Sequence, residues 1–239
     1  MIDLHCHILP GIDDGAPDIH ESMALIKAAI ANGITHMVCT PHIQLGRFDN
    51  TLESITAVFQ QVVTEVEKHS LPISLSYGAE VRICPEIMVM HEQQQLPFIG
   101  QWQGNNVLLL ELPHSHIPPG TEQLVKWLFN HGITPMIAHP ERNRGILADY
   151  SNIKPLLRQH CLLQVTAASV CGDFGSAIQL LAEKLLKAEL VTVIATDAHR
   201  MKRRPPILAQ GHKAAATIIG EEKAGRLVKN NPEQIVAAR

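Results

Sequence analysis

Little in this chain would take it out of water. No apolar run reaches the roughly 18 residues that a helix needs to span a bilayer, and the opening MIDLHCH lacks the basic start of a secretory signal. Membrane insertion is therefore not expected, and the expected compartment is the cytoplasm. Aromatic residues make up only 4% of the 239 residues and the formal net charge is −3, so neither a stacking platform nor a broad basic field invites nucleic acid. Cysteine is scarce too. Cys6, Cys39, Cys84, Cys161 and Cys171 are odd in number and lack CxxC spacing, which predicts free thiols rather than a disulfide framework. The sixth residue after each of them is Ile12, Leu45, Met90, Ala167 or Ala177, so no Cys-x5-Arg nucleophile loop exists. A GxxxxGK[ST] phosphate loop and a GxSxG nucleophile elbow are also missing. No repeat, low-complexity tract or Gly/Ser-rich linker divides the chain, and its length suits one large domain over residues 1–239.

Histidine is what the chain has in excess, with 14 residues, several of them at the ends of short apolar runs. Those runs are MIDLHCH, ITHMVCTPH, ISLSYGAEV, NVLLLELP, ITPMIAHPE, LLQVTAAS and LVTVIATDAH. Between them the apolar spacing predicts helices over 18–31, 50–69, 85–94, 121–131, 149–159, 175–188 and 206–219. Asp18 is placed to cap the first, and ANGIT and NHGIT put a glycine between a helix and the next strand. This alternation predicts an α/β fold of parallel strands with right-handed crossovers, a barrel in preference to an open sheet.

Nearly every predicted strand ends in a side chain that can bind a metal: His5 and His7, His42, Glu80, Glu111, His139, Asp197 and His199. The carboxyl ends of parallel strands converge on one face, where such folds build their sites. His5 and His7 are two apart, as are Asp197 and His199, so each pair shares one side of its strand. Pro41 and Pro140 end their strands beside His42 and His139. Glu80 and Glu111 are single carboxylates in apolar surroundings, which need a cation, either an arginine or a metal ion. With Asp14 from the DDG turn there are nine candidate ligands. One ion takes about three or four protein ligands, so nine suit two or three ions. Mixed nitrogen and oxygen donors without thiolate favour manganese, iron or zinc. Clustered ions of this kind suit phosphoester hydrolysis, because one lowers the pKa of bound water towards roughly 7 while others hold the phosphoryl oxygens. Arg142 in HPERNR and one of Arg203 and Arg204 in HRMKRRPP are candidate phosphate clamps, with Arg200 and Lys202 read as a solvated basic loop.

The ordered set DLHCHILPGIDDG, TPH, GAE, LLLELP, AHPERN and TDAH resembles the polymerase-and-histidinol-phosphatase (PHP) superfamily. Within it, the chain is similar to the capsule-biosynthesis manganese-dependent tyrosine phosphatases of the CpsB/CapC family. The resemblance implies a distorted (β/α)7 barrel with three ions, manganese first and iron, zinc or magnesium as alternatives. It assigns His5, His7, Glu80 and Asp197 to one ion, with Glu80 bridging to a second that also takes Glu111 and His139. Asp14, His42 and His199 hold the third, Arg142 and Arg204 grip phosphate, and Asp13 is a neighbour rather than a ligand. The implied reaction is attack of a metal-activated hydroxide on phosphotyrosine, with no covalent intermediate. The implied partner is the cytoplasmic domain of a bacterial tyrosine kinase that controls capsular or exopolysaccharide synthesis, and a homo-oligomer stays open. A small-molecule phosphoesterase of the histidinol-phosphate phosphatase kind and a non-catalytic metal module that binds a phosphoprotein are the alternatives. Ile43 and Arg200 depart from the histidine and asparagine frequent in the family.

Overall fold

Each apolar run becomes one strand, or two collinear strands, in the computed structural model, which describes residues 1–237. The strands are β1 (Ile2–Cys6), β2 (His36–Cys39), β3 (His42–Ile43), β4 (Ser74–Tyr77), β5 (Glu80–Arg82), β6 (Gly100–Trp102), β7 (Asn105–Glu111), β8 (Ile133–Ala138), β9 (Leu162–Thr166) and β10 (Val193–Ala195). The helices that matter below are α1 (Ile19–Ala31), α2 (Leu52–Lys68), α3 (Ile87–Glu92), α4 (Thr121–Asn130), α5 (Arg144–Ala148), α6 (Lys154–Arg158), α7 (Ala167–Cys171), α8 (Ser176–Lys187), α9 (Leu208–Ile219), α10 (Glu221–Gly225) and α11 (Asn231–Val236).

Pro41 has no N–H to give to a ladder, and it separates β2 from β3. Pairing nevertheless continues past it, because Glu80 N donates to Pro41 O at 3.0 Å and Gly78 N to Cys39 O at 2.9 Å. Thus β2 with β3, and β4 with β5, each act as one stave. Parallel pairing runs β1–β2–β4 and β3–β5–β7–β8–β9–β10. The ring closes where Cys6 bridges Ala198, with His7 N donating to Ala198 O at 2.7 Å and Asp197 N to His5 O at 2.8 Å. The result is the expected seven-stave α/β barrel, plus one unanticipated strand, β6, antiparallel to β7.

Alternation along the staves explains how polar groups come to be buried. Val107 and Leu109, Met136 and Ala138, Leu162, and Val193 and Ala195 form an apolar inner cluster with Leu4 and Val38, into which Ile235 of α11 also packs. Two residues further along the same faces come Glu111, Gln164 and Asp197. A register shift between Asp3 and Cys6 lets β1 turn His5 inward although Leu4 already belongs to the inner cluster. The opposite faces, with Leu108, Leu110, Ile137, Leu163 and Ile194, join the larger core beneath the helices.

Helix punctuation follows local chemistry. Asp18 accepts from Glu21 N at 2.9 Å at the start of α1, and Thr51 and Ser54 cap α2 reciprocally. The helix expected over 149–159 forms as a short 3-10 turn, Tyr150–Ile153, that runs directly into α6, and a separate α5 precedes it. Asp149 is extended and caps Ser151 N at 2.8 Å, which separates this run from α5, and Pro155 is tolerated in the first turn of α6. The run LLQVTAAS is strand only as far as Thr166, and Ala167 begins α7. No described helix is long and apolar enough to cross a membrane.

Candidate metal centre

All nine candidate ligands meet at the carboxyl ends of the staves. His5 Nε2 and His7 Nε2 are 3.1 Å apart, each is 3.3 Å from Glu80 Oε2, and each is 3.4 Å from Asp197 Oδ1. His139 Nε2 is 2.8 Å from Glu80 Oε1. His42 Nδ1 lies 3.0 Å from Glu80 Oε2 and 3.7 Å from Glu111 Oε2. On the outer side, Asp14 Oδ1 is 3.5 Å from His42 Nε2 and 3.4 Å from His199 Nε2. Three overlapping groups emerge in which donor atoms lie within 4.8 Å of one another: His5, His7 and Glu80; His42, Glu80 and Glu111; and His7, Asp14, His42 and His199.

The donor set fits cations. Asp14 Oδ1, His42 Nδ1, Glu80 Oε2 and Glu111 Oε2 are buried atoms with no partner in hydrogen-bond geometry among the described residues. Lone pairs that converge in this way are costly unless something positive sits between them, and Arg82 Nη2, 2.9 Å from Glu111 Oε2, supplies that for Glu111 alone among the carboxylates of this set. The backbone is bent to the same end. His139 and Asp197 hold φ values of 34° and 52°, left-handed conformations that cost on the order of 1–3 kcal/mol each and concentrate at functional sites.

Electrostatics in the cluster divide along the same lines. Burial pushes the Glu80 carboxyl up, but the imidazoles of His5 and His42 and the hydrogen bond from His139 outweigh it and hold the group well below the usual carboxylate range. Glu111 goes the other way, lifted to about 7 by burial and by repulsion from Glu80, against the pull of His42 and Arg82. Burial works against the charged forms of His5 and His7, yet carboxylates raise both: Glu80 and Asp197 for His5, Asp13 for His7. Burial and the Arg142 guanidinium press His139 down to about 4, leaving a neutral imidazole. Without ions, protons on His5 and His7 therefore stand where cations would balance the carboxylates.

A second layer holds the first in place. Asp13 is not among the converging donors; its Oδ2 lies 2.7 Å from His7 Nδ1 and accepts from His42 N at 3.1 Å, while Oδ1 accepts from Gly15 N at 2.8 Å. Asp3, inside β1, accepts from Thr196 N and Thr196 Oγ1 at 2.9 and 2.5 Å, tying β1 to β10. Asn50 donates to Ile12 O and His42 O at 2.8 and 2.9 Å, joining the turn after β1 to β3. Gln164 and Asn50 were not picked out from the sequence. A lone glutamine in the apolar run LLQVT was the available signal for the first, whereas nothing local marks the second.

Four arginines border the cluster in different ways. Arg82 Nη2 lies 2.9 Å from Glu111 Oε2, so Glu111 has the arginine partner as well as the donor neighbours. Arg142 and Arg204 both donate to Asp197 Oδ2, Arg204 at 2.7 Å. Arg204, and not Arg203, reaches Asp197 in the cluster. Arg200 stays at the rim, with Nε donating to Gly15 O at 3.1 Å.

Fold and site together define an α/β barrel protein with a histidine–carboxylate cluster, its donor groups placed to hold metal ions, at the carboxyl ends of its strands. The chain belongs to the capsular polysaccharide synthesis family CpsB/CapC, whose model matches residues 1–237. It is 35% identical over 204 residues to the tyrosine-protein phosphatase YwqE of Bacillus subtilis, covering 85% of this chain and 79% of that protein. To the tyrosine-protein phosphatase CpsB of Streptococcus pneumoniae it is 28% identical over 245 residues, covering 99% and 98%. A solved structure from work on YwqE of Bacillus subtilis and CpsB of Streptococcus pneumoniae, described as unique metal-dependent tyrosine phosphatases, superposes with a TM-score of 0.92 at 32% identity, covering 100% of this chain and 95% of that one.

Proposed function

We propose that this chain is a metal-dependent protein-tyrosine phosphatase of capsular or exopolysaccharide synthesis, acting in the cytoplasm on phosphotyrosines of a bacterial tyrosine kinase. The observation that carries the reading is the convergence of nine ligand-type side chains with two guanidinium groups on one face of the barrel. Three ions, manganese first, account for the three donor groups. His5, His7, Glu80 and Asp197 would hold one; Glu80, Glu111 and His139 a second, with His42 at its edge; Asp14, His42 and His199 a third. Bound ions supply Lewis acidity and a water acidic enough to act as nucleophile near neutral pH.

The chain's own residues supply the remainder. Arg142 and Arg204 offer planar donor forks suited to phosphate oxygens, and in engaging substrate they exchange Asp197 for the phosphoryl group. Glu80, held by His139 on one oxygen, presents its other oxygen to both halves of the centre. Asp13 and Gln164 fix the rings of His7 and His5 from behind. No cysteine takes part: Cys6 and Cys39 are buried in the wall, and burial pushes the Cys6 thiol well up.

Turnover of a phosphotyrosine peptide and of histidinol phosphate by the manganese-loaded protein tests the reading. Hydrolysis of the peptide, abolished by His139→Ala and Asp197→Ala, is the expected result. Activity on histidinol phosphate alone would move the assignment to a small-molecule phosphoesterase, and binding without hydrolysis of either to a phosphoprotein-binding module.

A further inference from the structure

Beside the centre lies an open cavity of about 680 Å³ that contains more than phosphate recognition requires. Asp14 and His199 line it on the metal side, and Arg200, Lys202, Arg203 and Arg204 line it on the other. The basic segment is not a loose loop. His199 N donates to Arg204 O at 2.9 Å, and Arg203 N and Arg204 N both donate to Arg200 O, at 3.2 and 3.0 Å. Met201 N is anchored on Glu21 Oε1 of α1 at 2.9 Å, and Arg200 on Gly15 O. Within this closed hairpin Arg204 turns inward to Asp197, while Lys202 and Arg203 are exposed and carry no ion pair among the described residues. The acids on this cavity are already committed: Asp14 faces His42 and His199, and Glu21 accepts from the hairpin backbone.

Two unpaired cations on a preformed turn, one and two residues from a phosphate-clamp arginine, form a field into which an anionic chain would be drawn. Because Arg204 belongs to the hairpin and also reaches Asp197, residues flanking a phosphotyrosine held by Arg204 run past the hairpin, advancing about 3.3–3.6 Å per residue when extended. We propose that Lys202 and Arg203 form a subsite for an acidic side chain, Asp or Glu, flanking the phosphotyrosine of the substrate. The assignment rests on the phosphatase reading above and names the class of peptide that the site prefers.

Two phosphotyrosine peptides matched in length, one with glutamates and one with glutamines on both sides of the phosphotyrosine, test it against the wild-type protein and Lys202→Ala/Arg203→Ala. p-Nitrophenyl phosphate, which has no flanks, reports the phosphate site alone. The wild type should favour the acidic peptide by about three- to tenfold in kcat/KM at low salt, through KM. That preference should shrink towards one in the double variant and in high salt, and Lys202→Arg should keep it. Equal kcat/KM for the two peptides in the wild type, or a preference that survives the double substitution, overturns the subsite. Loss of p-nitrophenyl phosphate and peptide hydrolysis alike in the wild type would instead overturn the phosphatase reading. In that event, anisotropy binding of the same peptides carrying a phosphonomethyl-phenylalanine still decides the subsite, by the same ratio.

Discussion

Gln164 Oε1 lies 2.8 Å from His5 Nδ1 and accepts the backbone N–H of His139 at 3.3 Å. An amide oxygen can only accept, so His5 keeps a proton on Nδ1 and presents Nε2 to Glu80 and Asp197, the atom whose own proton an ion would replace. One side chain from β9 thereby sets the ring of a ligand on β1 and the turn that carries another after β8. Replacing Gln164 by leucine should weaken metal binding by about 10- to 100-fold, the usual consequence of losing an orienting partner of a ligating histidine. Gln164→Glu, which keeps an acceptor, should retain most of the affinity. Metal titration by calorimetry distinguishes the two, and unchanged affinity in the leucine variant would refute the orienting role.

Gly15 closes the DDG turn against β1 so tightly that a Cβ there would sit 2.0 Å from His7 O and 2.6 Å from His7 Cβ. No rotamer relieves a clash with backbone. Gly15→Ala should therefore destabilise the fold by about 1–3 kcal/mol and push Asp13 and Asp14 off His7, His42 and His199. Denaturant unfolding reads the first effect, and elemental analysis of ions per chain reads the second, expected to fall by one. A variant as stable as the wild type with a full ion complement would show that the turn is not needed to place Asp14.

These contacts also show what the sequence could and could not convey. Glu111 was legible because four apolar residues run up to it and a carboxylate cannot be buried there without a cation. The His5/His7 and Asp197/His199 pairs were legible from strand periodicity, since alternate residues share a face. The barrel order was legible only as an alternation of segments. Its closure depends on Cys6 meeting Ala198, nearly the whole chain apart, which no local pattern encodes. Asp13 against Asp14 was likewise undecidable from adjacent identical residues; the turn fixed by Gly15 sends one carboxylate behind His7 and the other in front. The helical run Tyr150–Arg158 was legible from its apolar spacing, but its 3-10 first turn and the separate α5 before Asp149 were not.

Arg142 and Arg204 both rest on Asp197 Oδ2, and Arg142 lies 5.0 Å from the centroid of the Phe174 ring. That ring and the carboxylate hold the guanidinium plane at the mouth of the site. Arg142→Lys keeps charge but loses the fork, so kcat/KM for a phosphotyrosine peptide should drop by about 10²–10³, as for removal of one preorganised donor. Because both arginines share one carboxylate and one phosphate, the double variant Arg142→Lys/Arg204→Lys should lose less than the product of the single losses. Steady-state kinetics on the four proteins measures the coupling, and strict multiplicativity would show that the two act on separate groups.

The ion-free protein should lose stability as pH rises above about 6.5, whereas the loaded protein should gain it. His5 and His7 have folded pKa values above the ordinary 6.5, so the native state keeps protons that the unfolded chain releases. Their contribution is complete below pH 6.5 and is lost as pH climbs through the raised values. Glu111, lifted to about 7, acts in the same direction up to that pH. His139 and His199, both lowered, contribute a rising slope only below 6.5, and the lowered α-amino group of Met1 offsets part of the fall above it. Metal binding requires the imidazoles of His5 and His7 neutral, so loading expels their protons and strengthens as pH rises. Mass action then adds stability in proportion to affinity. Denaturant midpoints at pH 6.5, 7.5 and 8.5, with chelator and with manganese, should therefore diverge, falling in the first series and rising in the second. Calorimetry in two buffers of different ionisation enthalpy should register proton release on loading, and parallel midpoints with no released protons would place the cations somewhere other than the histidine–carboxylate cluster.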